Sequence, residues 1–209
     1  MFFKRNQVEG AILRTLGVKD DGRGRDVKLK IKRLLVTDRR LRRARADRGY
    51  AFYTQKPKGS GVEVMFSSFE AFAIMAALIV LEHGIPQAKV VSILQDVRSD
   101  LEVAHRETLR KDRKELFDPQ GVQAAARRGM IPVDNTAPVF LAFVKLDARR
   151  GRVHAFISVC RGLHALSSFF NEHSVPGSGA THFEFVRLIC DLATNLSQTS
   201  PISRGRSTV

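Results

Sequence analysis

Six arginines fall within ten residues: Arg39, Arg40, Arg42, Arg43, Arg45 and Arg48. A guanidinium presents a planar fork of N–H donors that fits two phosphate oxygens, or the O6 and N7 of guanine. Leu41 is the one large apolar residue in the run, so little in its composition draws it into a core. Crowded cations repel unless an anion joins them, and neutralising roughly five to eight phosphates would make binding steeply salt-dependent. Upstream, Lys28, Lys32 and Arg33 extend the positive charge; downstream, Lys56 and Lys58 flank Pro57 in a turn. Lysines at such a tip suit contact with a nucleic-acid backbone, although hairpin tips are commonly polar without any ligand. The candidate nucleic-acid contacts are therefore Lys28, Lys32, Arg33, Arg39, Arg40, Arg42, Arg43, Arg45, Lys56 and Lys58.

The charge is concentrated. Residues 1–58 hold 18 Lys and Arg against 6 Asp and Glu, whereas the whole 209-residue chain holds 35 against 21. Nearly all the net charge of +14 thus sits in the opening quarter. A charge serving solubility would be spread out; a concentrated one is the footprint of a polyanion-binding face. The competing reading is a solvated basic arm.

These cations need elements to carry them. Asn6-Gln7-Val8-Glu9 has the form of a capping box, and Val8, Ile12, Leu13 and Leu16 recur at helical spacing, so a first helix is predicted over Gln7 to Leu16, closed by Gly17. The polar stretch Val18 to Arg25 reads as a loop. Asp26 is the expected cap of a second helix over Val27 to Thr37, with Leu29, Leu34, Leu35 and Val36 as its apolar contacts. Gly49 to Thr54 and Val62 to Phe66 show blurred period-two patterning around a Pro- and Gly-containing turn, which predicts a β-hairpin.

Ser67-Ser68-Phe69-Glu70 is a second capping box. The helix it opens, to about Glu82, is apolar on most sides and is expected to be a central core helix. His83-Gly84 closes it and Ile85-Pro86-Gln87 starts another. Ser99-Asp100-Leu101-Glu102 is a third box, opening a charged helix to about Glu115. Its thin apolar stripe fits a dimer arm or an exposed connector equally well.

Beyond it, Asp118-Pro119 caps a short helix over Gln120 to Arg128. Val139 to Leu146 and Arg152 to Cys160 are candidate strands about a turn at 147–151. Leu163 to Phe170 reads as a helix, His182 to Val186 as a strand and Leu188 to Leu196 as a helix. The tail, rich in Ser, Pro and Arg, is expected to be disordered. The predicted organisation is a basic nucleic-acid-binding domain at 1–98, connecting or dimerising helices at 99–130, a small α+β domain at 131–197 and a tail at 198–209. The fold class is α+β.

Chemistry other than binding finds little support. His154, Cys160, His164, His173, His182 and Cys190 lie close in sequence, but no CxxC or HxxxH pair occurs, so no metal is expected. There is no GxSxG elbow and no phosphate-binding P-loop, so neither an enzyme nor a cofactor is expected. No apolar run reaches the ~18 residues of a membrane span. Two cysteines are too few for a disulfide framework, which predicts a cytoplasmic protein, nucleoid-associated if bacterial.

From about Tyr50 to Arg98 the chain resembles the MerR family of winged-helix regulators. The resemblance is carried by Phe66-Ser67-Ser68-Phe69-Glu70-Ala71-Phe72, then by Leu81-Glu82-His83-Gly84-Ile85-Pro86-Gln87-Ala88-Lys89-Val90 and on to Leu94. That family places a helix-turn-helix before the wing hairpin and a dimerisation helix after this unit. The chain departs from it in the long stretch Val18 to Arg25 and in lacking the Arg-Tyr-Tyr segment that follows the recognition helix. The resemblance implies an N-terminal winged helix-turn-helix and a dimer on near-palindromic double-stranded DNA. The function so expected is sequence-specific transcription regulation. The alternatives are an RNA- or ribosome-associated module using the same charge, and an adaptor gripping an acidic protein.

Overall fold

The computed structural model describes residues 1–44, 49–55, 64–127, 133–145, 155–175 and 178–200. Helices and two small antiparallel sheets give the expected α+β class. The chain divides into two units, one from Met1 to Asp96 joined by the chain from Asp191 onward, the other from Val97 to Cys190.

The first unit opens with β1 (Phe2–Lys4) and α1 (Arg5–Thr15). The helix begins two residues before the predicted start. Gln7 causes this: its Oε1 accepts from the Lys4 N–H at 2.9 Å, satisfying one of the amides a helix start leaves open. Asn6, the expected cap, instead accepts from the adjacent Gln7 N–H. Gly17 closes the helix at φ 64, as expected.

The second helix, α2 (Gly22–Ala44), is about twice as long as predicted. Asp21, not Asp26, supports its start: its Oδ1 accepts from the Arg23 N–H at 2.8 Å and its carbonyl from the Arg25 N–H. The expected loop at Val18 to Arg25 is correspondingly shortened, and Asp26 lies inside the helix. At the other end Asp38-Arg39-Arg40 continues the helix, because Arg, Leu and Ala favour it and no Pro or Gly interrupts it as far as Ala44.

The predicted hairpin is corrected. Gly49 to Gln55 forms no strand. Its amides go to two carboxylates instead: Asp38 accepts from Ala51 and Phe52, and Glu70 accepts from Thr54. The other predicted strand is present as β2 (Met65–Ser67), but its partner is β1, with Phe2 opposite Ser67, Phe3 opposite Phe66 and Lys4 opposite Met65. Phe3 and Phe66 point inward and are buried.

α3 (Ser68–Glu82) is the expected core helix, buried without interruption from Phe69 through Leu78. Its capping box is formed as predicted: Ser67 Oγ accepts from the Glu70 N–H, and Glu70 Oε2 accepts from the Ser67 N–H at 2.6 Å. Gly84 closes it at φ 75, a left-handed conformation that costs glycine nothing. α4 (Gln87–Asp96) follows, with Val90, Val91, Ile93 and Leu94 buried.

In the second unit α5 (Arg98–Arg110) begins one residue before the predicted box, since the Val97 carbonyl already accepts from Leu101. It stops well short of Glu115. Lys111 is extended, and Asp112 accepts from the Lys114 N–H to cap the short α6 (Arg113–Leu116). α7 (Pro119–Arg127) has its predicted Asp118 cap, whose Oδ2 accepts from Gly121.

β3 (Val139–Lys145) is the central strand of the larger sheet, between β4 (Ala155–Arg161) and β5 (Gly179–Glu184), antiparallel to both. The turn predicted at 147–151 lies outside the described residues. α8 (Gly162–His173) covers one sheet face, packing Leu166 and Phe169 onto Phe140, Ala142, Val144 and Cys160. α9 (Val186–Gln198) ends the described fold. Its last turn packs against α1, where Gln7 Nε2 donates to the Thr199 carbonyl at 2.7 Å and Asn195 to Thr15, so residues 198 and 199 are not the disordered tail expected there; 201–209 lie outside the described residues. No described helix is long and apolar enough to cross a membrane.

Candidate nucleic-acid interface

α2 has two faces of opposite character. Val27, Ile31, Leu34 and Leu35 recur at helical spacing, are buried, and turn inward as the helix packs against α3 and α4. At 100° per residue the opposite side carries Arg25, Leu29, Lys32, Arg33, Val36, Arg39 and Arg40, all exposed. The helix holds ten Lys and Arg against two Asp, and one of those, Asp38, is fully buried on the inner side. Hydrophobic burial of one face thus holds the helix in place and leaves the other free to present cations.

The predicted site residues can be followed one by one. Lys32, Arg33 and Arg40 point outward, and among the described residues no acidic side chain engages them. Lys28 lies at the edge of the same face and is paired with Asp20 at 2.8 Å. Arg39 is exposed, yet its Nε and Nη2 donate to the Tyr53 hydroxyl at 3.2 and 3.0 Å, and its guanidinium sits over the Tyr53 ring. Two of its five donors are thereby committed and the side chain is held in one orientation. Arg42 turns to the flank, over the Tyr50 ring at 5.8 Å. Arg43 lies in the last turn of α2, with its side chain outside the described residues. Arg45, Lys56 and Lys58 also lie outside them.

The segment from Gly49 to Gln55 is the brace behind this face. Ala51, Phe52 and Tyr53 are buried, and Asp38 reaches the first two from the inner side of α2. Its two oxygens accept from Ala51 and Phe52 at 2.9 Å each, and Oδ1 also accepts from Gln95 Nε2 of α4 at 3.0 Å. Gln87, on the first turn of α4, donates to the Arg33 carbonyl and to Thr37 Oγ1. α4 is therefore bonded to the middle of α2 at two places. Burial raises the Tyr53 hydroxyl pKa above its ordinary value, and the Arg39 hydrogen bond opposes that rise.

Sequence reasoning missed Arg25, because the helix was started too late, and gave Leu29 and Val36 an inward role that the structure reverses. Continuing the apolar period back from Leu34 and Ile31 to Val27, with Gly24 buried next, places Arg25 outside and would have found it. The roles of Asp38, Gln87 and Gln95, and of Glu70 towards Thr54, carried no signal, since those partners are distant in sequence.

The second unit holds buried titratable groups of ordinary structural kind. His105 is buried on α5, which lowers its pKa to about 4. Glu184 accepts from Val139 and Val186; its burial raises its pKa, and these two bonds oppose the shift. Cys160 and Cys190 are both buried. Among the described residues no group of three His, Cys, Asp or Glu side chains could hold a metal ion. Comparison with family models, with curated proteins and with solved structures finds no match for this chain.

Proposed function

We propose that this protein binds double-stranded DNA through the outward face of α2 and acts as a transcription regulator. One observation carries the reading: Arg25, Lys32, Arg33, Arg39 and Arg40 share one side of a helix whose other side is locked into a core. Cations so arranged meet a polyanion as one surface, without the entropic cost of gathering them from a floppy arm. A single helix of this diameter also fits the major groove. The MerR-like part of the reading draws support from the capped α3, its glycine-closed end and α4, and none from a wing, since Gly49 to Gln55 forms no strand and β2 pairs with β1. A dimer on a near-palindromic site belongs to the same proposal.

Five phosphate contacts imply a salt slope of about −4.5, hence about 500-fold weaker binding between roughly 50 and 200 mM salt. The test is titration of a duplex pool against salt with the intact protein and with the Lys32→Ala, Arg33→Ala, Arg40→Ala triple variant. These three side chains are exposed, so folding should be retained while the slope falls by about 3. An unchanged slope, or preference for structured RNA or an acidic protein over the duplex, would refute the reading.

A further inference from the structure

Leu29 and Val36 are large apolar side chains standing 44% and 56% exposed in the middle of the basic face of α2. A lone exposed apolar residue needs no explanation. These two are seven positions apart, so they lie within about 20° of each other around the helix and about 10 Å apart along it. About that centre line Arg33 and Arg40 fall some 30° to 50° to one side, and Lys28, Lys32 and Arg39 some 50° to 90° to the other. The face is an apolar line between two rows of cations, with the exposed Asp26 some 70° off the line at the N-terminal end of the Arg33 and Arg40 side.

The charge pattern selects the occupant. A second copy of this face would bring like charges together, and an apolar protein groove would strand the cations away from water. What matches is a surface with apolar groups between two rails of negative charge. The major groove of duplex DNA has that form: phosphates line both edges, and the C5-methyl of thymine projects from the floor. Resting on the DNA-binding reading above, we infer that Leu29 and Val36 are specificity-determining residues that read thymine methyl groups. Their separation matches about three base steps of 3.4 Å. The flanking lysines and arginines fix register on the phosphates, and the two apolar side chains discriminate.

The experiment selects binding sites from a randomised duplex pool with the full-length protein, then replaces each selected thymine by deoxyuridine, which removes only the methyl. Two thymines about three steps apart are expected, with affinity falling about four-fold for each methyl removed. Leu29→Ala and Val36→Ala variants should each lose the thymine-to-uracil difference at one position and keep the salt slope, because no cation is touched. Steeply salt-dependent binding with no thymine preference, or equal loss on thymine and uracil sites in the variants, overturns the inference and leaves DNA binding standing. Absence of duplex binding overturns both.

Discussion

Replacing Asp38 by Ala should loosen the brace behind α2 far more than an ordinary substitution. The carboxylate accepts hydrogen bonds from the Ala51 and Phe52 N–H and from Gln95 Nε2, and both amide-bearing residues are fully buried. Gln95 is half-buried and can turn to water; the two backbone donors cannot. Each buried donor left without a partner costs about 1–3 kcal/mol, partly offset by no longer desolvating a carboxylate, so the net loss is about 3–4 kcal/mol. Asp38→Asn keeps one acceptor oxygen but sets its NH2 against the other backbone donor, and should cost about half as much. The chain has two tyrosines and no tryptophan, and both tyrosines, Tyr50 and Tyr53, lie in the braced segment. Tyrosine emission during urea unfolding therefore reports this region alone. With a slope of about 2 kcal/mol per molar urea, the Ala variant should unfold about 1.5–2 M earlier, and exchange of the Ala51 and Phe52 amides should accelerate. A midpoint shift under about 0.5 M, or an Asn variant equal to the parent, would refute this account of the segment.

Gly24 is buried, and a Cβ there would lie 2.7 Å from the Lys19 carbonyl oxygen; Gly24→Ala should therefore destabilise by about 1–3 kcal/mol despite better helix propensity, read as a lower melting temperature. Ser67→Ala removes the side chain that caps α3 and should cost about 1 kcal/mol in the same melting assay. His105 stays neutral in the fold down to a pH of about 4, whereas the unfolded chain takes up its proton near 6.5. Stability should therefore fall as pH drops from about 6.5 towards 4, by up to about 3 kcal/mol, and level off below; His105→Gln should flatten that part of the profile, measured by denaturation across pH.

Several parts of the fold were legible before any coordinates because their causes are local. Ser67 and Glu70 cap one another across three residues, Gly17 and Gly84 end helices by their own conformational freedom, and the uninterrupted apolar run of α3 marks a core helix. β3 and β4 were legible as apolar runs about a turn, and β5 was predicted two to three residues late. Asp26 has the type of a cap, yet Asp21 supports the start of α2, and Gly24, whose missing Cβ lets the first turn lie against Lys19, permits that earlier start. Ser99 and Glu102 likewise form a box by sequence, but Val97 had already begun the helix.

The amino-acid sequence by itself determined that the charge is concentrated in the first 58 residues and that a helix with one apolar side would carry much of it, because composition and period need no partner. Tertiary structure decided which way that helix faces. It turned Leu29 and Val36 outward, placed Arg39 on Tyr53, and gave the amides of residues 51 to 54 to Asp38 and Glu70 in place of a strand. A β-strand needs a neighbour and a buried carboxylate needs donors, and for this chain both come from residues far along the sequence, brought together only when α2, α3 and α4 close on their common core.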